Sequence, residues 1–290
     1  MALTVAAAFT TYLSWRTPSA TDRAKASSHR ASIEAKLEAK FGLWRMYESG
    51  SWKHGTGVKG FSDVDYFVSL KSSKPVYGSS ALTAVKEAMQ ERFPSTYIHT
   101  SRPAVVLEFG GGYERVELIP AYPSLSLAND DMRYSIPGVR TEWMESTPES
   151  HLTYVNDCNN IAVVKGGTKE LARLVKAWKY HRKVPISSFY LEMRAAEYMA
   201  TQSSVIYALD ILYFFNSLKR SGLASMNDPT GSTGRINACS SDANLVDALS
   251  KLDTAISRAN NAVESDKVGR TADAFFYWNL LFDNSFPAYG

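Results

Sequence analysis

Apolar residues recur at both helical and strand spacing in the first half of the chain, and at helical spacing through most of the second half. Between Ala20 and Phe41 a stretch rich in Ala, Lys, Glu and Arg places Ile33, Leu37 and Phe41 four residues apart. That spacing predicts a helix leading to a Gly50-Ser51 turn. Residues 63–70 (DVDYFVSL) read as a strand and 82–92 (LTAVKEAMQER) as a helix. The runs 104–109 (AVVLEF) and 115–122 (RVELIPAY) flank Gly110-Gly111-Gly112. They predict a hairpin, because glycine reaches the positive φ that tight turns need. The first half is therefore mixed α/β, with acidic residues on its strands.

The second half predicts helices over 169–183, 188–201, 204–219, 244–262 and 266–282. In the first of these, Leu171, Leu174, Val175 and Trp178 form one apolar stripe while Lys176, Lys179 and Lys183 share the other face. An α/β lobe followed by a helical lobe implies a cleft between them. Residues 226–237 (MNDPTGSTGRIN) form the longest irregular insertion.

Composition narrows the range of partners. With 290 residues and 45% hydrophobic content, the chain can bury one large core or two smaller ones. Lys and Arg total 32 against 29 Asp and Glu, and no run of five or six like charges occurs. Wrapping a long duplex calls for a denser basic stripe, so small anionic ligands are the expected partners. Cys158 and Cys239 lie far apart with no C-x-x-C pair, which excludes a disulfide framework and a zinc knuckle and suits reduced thiols in a cytosolic protein. The mildly apolar start, Met1 to Trp15, lacks a basic flank and is interrupted by Thr and Ser, so no secretory signal is expected. No segment approaches the roughly 18 unbroken apolar residues of a membrane span. The expectation is a soluble, cytoplasmic protein without a membrane partner.

The chemistry concentrates in residues 50–65, which run from Gly50-Ser51 through Gly55-Thr56 to Ser62-Asp63-Val64-Asp65. Strand side chains alternate, so Asp63 and Asp65 project from one face, where two carboxylates can hold magnesium beside a substrate phosphate. An isolated D-x-D is more often a turn or cap, and context changes that reading. Ser51 and Asp63 are separated by eleven residues, and Glu117 sits between Val116 and Leu118 on another predicted strand. An acid between apolar neighbours points away from the core face and can join the first two. A phosphate-holding turn beside a metal pair is the minimal equipment for moving a nucleotide.

These residues carry a specific resemblance. The form G-S-x(3)-G-T-x(5)-S-D-x-D followed by a single acid on a later strand resembles the polymerase-β-type nucleotidyltransferase superfamily. Within it, the pattern is similar to oligoadenylate synthetases, cyclic GMP-AMP synthase and the bacterial cGAS/DncV-like nucleotidyltransferases (CD-NTases). The segment Val116 to Ala121 (VELIPA) resembles the family's strand ending in Pro-Ala, with Glu117 where many members have Asp. The resemblance implies an α+β fold: a nucleotidyltransferase lobe with a mixed sheet over residues 1–160, its N-terminal helix packing across the lobes, and a helical lobe over 161–290 that holds the donor nucleotide. It implies Asp63, Asp65 and Glu117 as catalytic ligands of two Mg2+ ions, which Mn2+ can replace, and Gly50 and Ser51 as phosphate-holding residues. Leu174 to Lys179 and Ile186 to Glu192 resemble the family's donor-holding segments. By that resemblance Lys176 pairs with phosphate, Ser188 bonds phosphate or base, and Phe189 stacks on the base. The residues alone leave other readings open: Lys176 as a solvated face, Ser188 as a helix cap, Phe189 as core beside Trp178. Asp228-Pro229 and Asn237 match a family loop of structural role. Lys53 and His54 lie within reach of phosphate, although a loop lysine is usually solvated, and His151 reads as a packed or surface histidine.

The implied activity is synthesis of a cyclic di- or oligonucleotide second messenger from NTPs, in bacterial anti-phage (CBASS-type) signalling with a nucleotide-activated effector. Lack of a zinc-binding Cys/His insertion favours a bacterial CD-NTase over the animal DNA sensor. The competing readings are transfer of nucleotides to RNA, tRNA or protein, and a nucleotide-binding module without turnover. Gly290 resembles the C-terminal glycine through which some bacterial family members are conjugated to a partner, against the ordinary reading of a frayed terminus.

Overall fold

Strand β5 organises the α/β part of the molecule. The computed structural model describes residues 3–26, 28–112, 114–126, 132–231 and 234–290. In chain order the elements are α1 (Val5–Arg16), α2 (Ala20–Ala26), α3 (Arg30–Phe41), β1 (Leu43–Ser49), α4 (Gly50–His54), β2 (Val64–Leu70), α5 (Gly78–Arg92), β3 (Tyr97–Ser101), β4 (Ala104–Phe109), β5 (Glu114–Ser126), β6 (Met132–Pro137) and β7 (Trp143–Ser146). Then follow α6 (Pro148–Asn160), α7 (Gly167–His181), α8 (Ser188–Met199), α9 (Tyr207–Arg220), the short pair β8 (Met226–Asn227) and β9 (Arg235–Ile236), α10 (Asp242–Lys267) and α11 (Thr271–Leu281).

The seven-stranded sheet is mixed, in the order β1-β2-β5-β4-β3, with β6 on the far half of β5 and β7 on β6. Only the β2–β5 pairing is parallel. β5 is long enough to pair β2 and β4 with its first half and β6 with its last residues. The predicted hairpin is β4 and β5, with Gly110, Gly111 and Gly112 all at positive φ. Val116 and Leu118 of β5 and Val105 and Leu107 of β4 are buried on one face, against Leu82, Val85 and Met89 of α5 and Ile33 and Leu37 of α3. Alternation then turns Asp65 and Glu117 to the other side.

A second core belongs to the helices. Trp178, Phe215, Trp278 and Phe282 are buried in it with Phe9 and Tyr12 of α1, and Phe9 packs edge-on to Trp278 at 5.0 Å. Within the mildly apolar start, residues 5–16 form a helix packed against the helical lobe. Val155 and Cys158 of α6 join the same core. Residues of α1 and α6 thus share the core of the helical lobe.

The predicted 20–41 helix is split into α2 and α3, and the two C-terminal predictions become α10 and α11. α10 is 26 residues long because Ala248, Leu252, Ala255, Ala259 and Ala262 keep one small, buried stripe, and Ser241 caps its start by accepting from the Asn244 amide at 3.2 Å. Strands β1, β3, β6 and β7 are not evident in the apolar pattern; β3 and β7 are short and partly exposed, and β1 carries two exposed residues, Trp44 and Arg45. Among the described residues, no helix is long and apolar enough to cross a membrane.

Candidate active site

The site begins where β1 ends. Ser49 pairs with Asp65 across β1 and β2, and the chain then enters α4 through Gly50 at φ 60°. A Cβ on Gly50 would lie 2.1 Å from Asp65 Oδ2 and 2.7 Å from its Cγ. The Asp65 carboxylate fills the space a side chain would need, and only glycine fits there. The Ser51 amide donates to that carboxylate. The Thr56 amide donates to Ser51 O at 2.9 Å, and Trp52 Nε1 to Ser62 O at 3.0 Å, which closes the segment back on the strand entrance.

The parallel register places Glu117 directly beside Asp65, and Asp63 sits one residue ahead of β2. Crowding of like charge away from water shows in their titration. Burial pushes the Asp63 carboxyl up to about 7, Glu117 adds to the rise, and Arg115 opposes it. Burial, then Glu117 and Asp63, holds Asp65 well above the usual carboxylate range against the pull of Lys176. Carboxyls so raised are poorly charged until a cation joins them.

Arg115, two residues before Glu117 on β5, stands in for such a cation. Its Nη2 donates to Glu117 Oε1 at 3.2 Å, and its Nε lies 3.5 Å from Asp63 Oδ2. All-oxygen donors suit magnesium or manganese, and the guanidinium shows that a positive group fits between two of the three acids. Asp63, Asp65 and Glu117 therefore fit the expected metals by donor chemistry. Among the described residues, no three acidic, His or Cys side chains already converge on one point.

The helical lobe meets this cluster through α7 and α8, with roles that differ from expectation. Lys176 is fully buried, and its ammonium donates to Thr56 Oγ1 and Glu192 Oε2, both at 2.9 Å. Lys176 therefore does not face solvent, and its buried charge is matched by Glu192. Glu192 also accepts from Thr56 Oγ1 and pairs with His54 Nδ1. Burial pushes the Glu192 carboxyl up, but Lys176, His54 and Thr56 override it and hold the group well below the usual range. Arg173 adds bonds to Gly55 O at 2.5 Å and Gly57 O at 2.9 Å. The glycine-serine segment is thus fastened to the helical lobe by buried charge, and His54 serves that fastening.

Lys179, one turn after Lys176, also lies within the field of the acids. Its Nζ lies 2.6 Å from Ser188 Oγ and 4.7 Å from the Tyr180 ring centroid. Burial lowers its ammonium to about 8, and the charge of Lys176 adds to the fall while Asp63 and Glu117 oppose it. The Tyr180 hydroxyl bonds Ser188 and Ser62, and its ring stacks on Phe61 at 5.2 Å. Ser188 is not the helix cap, since Ser187 accepts from the Tyr190 amide. Phe189 is 36% exposed, edge-on to His151 at 5.0 Å and away from the Trp178 core. His151 has a definite partner in Asp228 Oδ1 at 3.0 Å, which also accepts from the Thr230 amide. This gives the 226–237 loop its structural anchor; residues 232 and 233 lie outside the described residues. Lys53 is exposed.

The sequence reading passed over Arg115 and Glu192. Arg115 shares Glu117's strand face by the i, i+2 rule, and Glu192 is an acid between apolar Leu191 and Met193 on a helix. Both signals were present.

Known proteins agree with this architecture. A solved structure of CdnC from E. coli MS115-1 with ATP superposes with a TM-score of 0.74 at 18% identity, covering 98% of this chain and 99% of that one. CdnG of Bradyrhizobium diazoefficiens in complex with GTP gives 0.71 at 12% identity over 96% and 97% of the two chains. DncV, the cyclic AMP-GMP synthase of Vibrio cholerae, gives 0.64 at 16% identity over 84% and 69%. At these identities the likeness is one of fold. A Bacillus cereus (strain VD146) protein described as a probable cyclic nucleotide synthase is 22% identical over 201 residues, 68% of this chain and 59% of that relative's length. Residues 3–159, more than half of the chain and inclusive of the Gly50 turn and all three acids, match the model of the Second Messenger Oligonucleotide or Dinucleotide Synthetase (SMODS) domain, and the chain belongs to that family.

Proposed function

We propose that the protein is a magnesium-dependent nucleotidyltransferase that joins NTPs into a cyclic di- or oligonucleotide messenger, as a bacterial anti-phage signal. The observation that carries the reading is the side-by-side register of Asp65 and Glu117, with Asp63 adjacent and Gly50 closed against Asp65. Magnesium bound by these carboxylates would supply charge neutralisation at the α-phosphate and acidify the acceptor hydroxyl. Asp63 and Asp65 would hold both ions, and Glu117 the one on the acceptor side. The acceptor oxygen bonds to the α-phosphorus, its proton goes to solvent, and the bond to the departing pyrophosphate breaks. Lys179 and Ser188, with the Gly50-Ser51 segment, would hold the β- and γ-phosphates, and the exposed face of Phe189 would stack on the base at about 1–3 kcal/mol. A second round on the linear product closes the ring. The related CdnC is also known in a complex with a HORMA protein, so a regulatory partner and a nucleotide-activated effector are the protein partners we propose.

The test is incubation of the protein with α-labelled NTPs and magnesium, followed by phosphatase. A phosphatase-resistant small product is expected. Label on RNA or protein instead would replace this reading with macromolecular transfer.

Lys179 gives a separate expectation. Its ammonium is charged below about 8 and neutral above, so phosphate attraction weakens as pH rises through that value. kcat/KM for NTP, which reports free-enzyme ionisations, should fall above pH 8, and Lys179→Arg, charged throughout, should remove the fall. A wild-type profile that is flat to pH 9.5 would dismiss the phosphate role.

A further inference from the structure

We infer that Arg115 is a built-in counter-cation that a divalent ion must displace, and that it thereby sets how weakly the acid cluster holds metal in the absence of nucleotide. The inference rests on the metal-dependent reading of the site. Arg115 touches two of the three proposed ligands without making a fork. One nitrogen donates to Glu117 at 3.2 Å, and Nε faces Asp63 at 3.5 Å without forming a hydrogen bond to it. A guanidinium that positioned a ligand would be expected to grip it through two parallel bonds. This one is held by proximity of charge. Its side chain is also 37% exposed, against 23% for Asp63 and 22% for Glu117, so it is free to leave while the acids stay.

The sheet supplies a seat for it to leave to. Arg115 lies directly opposite Glu108 across β4 and β5, and directly opposed residues on antiparallel strands share a face. Glu108 is 30% exposed and contacts His99 Nε2 through Oε1 at 3.2 Å, which leaves Oε2 for a second donor. A guanidinium that moves from Glu117 to Glu108 exchanges one carboxylate for another at little cost. The carboxylate oxygens it leaves are then open at the place where a metal belongs. Two positive groups do not share that place comfortably, because like charges at contact distance repel.

A positioning role and a counter-cation role predict opposite signs. If Arg115 orients Glu117, its removal weakens metal binding. If it competes with metal, its removal tightens binding. The experiment is Mn2+ binding to the full chain without nucleotide, followed by electron paramagnetic resonance, with thermal unfolding as the check on folding. Arg115→Gln should bind Mn2+ about tenfold more tightly than wild type, the size of one neighbouring charge's effect on an ionic site. Arg115→Lys, which keeps the charge, should bind like wild type. Glu108→Gln, which removes the alternative seat, should bind several-fold more weakly. Binding by Arg115→Gln that is unchanged, weaker or undetectable would overturn the inference. Failure of the inference is separable from failure of the functional reading: metal binding with the wrong sign refutes only the role of Arg115, whereas phosphatase-resistant product made without any divalent ion refutes the metal reading itself.

Discussion

Asp65→Asn is expected to lower product formation by at least about 10³-fold while leaving the protein at least as stable as before. The loss follows from position: Asp65 lies between Glu117 in register and Gly50 at its back, so no neighbouring oxygen can take its place as a ligand. The stability follows from the cost of its charge. Burial, Glu117 and Asp63 hold its carboxyl well above the usual range, so ionisation is unfavourable in the metal-free fold. By linkage, a carboxyl raised in the folded state contributes stability below its unfolded value and loses it as pH rises through the folded one. A neutral amide of the same shape escapes that loss. Product assay and thermal unfolding of the same preparation at pH 8 check both halves. Undiminished synthesis would remove Asp65 from the catalytic set.

Glu192→Ala is expected to cost about 3–5 kcal/mol in denaturant unfolding, among the largest single-residue effects in the molecule. Lys176 would remain at zero exposure, bonded to Thr56 but without its carboxylate, and His54 would lose its buried carboxylate partner. The double replacement Lys176→Met with Glu192→Leu removes both charges and should recover most of that stability, since apolar groups of similar size substitute well for a buried pair. Because the Glu192 carboxyl is depressed in the fold, its contribution is complete above its unfolded value near 4.5 and declines only as pH falls further. A loss below 1 kcal/mol for Glu192→Ala would contradict the fastening role given to this cluster.

Local spacing made the acidic half of the site legible. Gly50-Ser51, Asp63 and Asp65 fall within one short stretch, and Glu117 stands out as a charge between apolar strand neighbours. The donor-holding half was legible only as a helix face. Lys176 and Lys179 are three residues apart and indistinguishable by helical periodicity. Their roles are divided by Thr56 and Glu192, which lie 120 and 16 residues from Lys176 and reach it only through the fold. Strands β1 and β6 escaped notice for a related reason. Trp44, exposed at 67%, and Arg45 and Tyr134, joined at 2.6 Å, hide the apolar alternation that marks a strand. The buried helix α1 was masked by its Thr and Ser residues, which sit on the side away from Phe9 and Tyr12.

The central claim is that these residues build cyclic nucleotides. Mass spectrometry of the small molecules formed from a mixture of all four NTPs and magnesium tests it most directly. The expected result is an ion at the mass of a cyclic di- or oligonucleotide that survives phosphatase and is absent with Asp63→Asn/Asp65→Asn. Linear products alone, or the same cyclic ion from the double mutant, would contradict it.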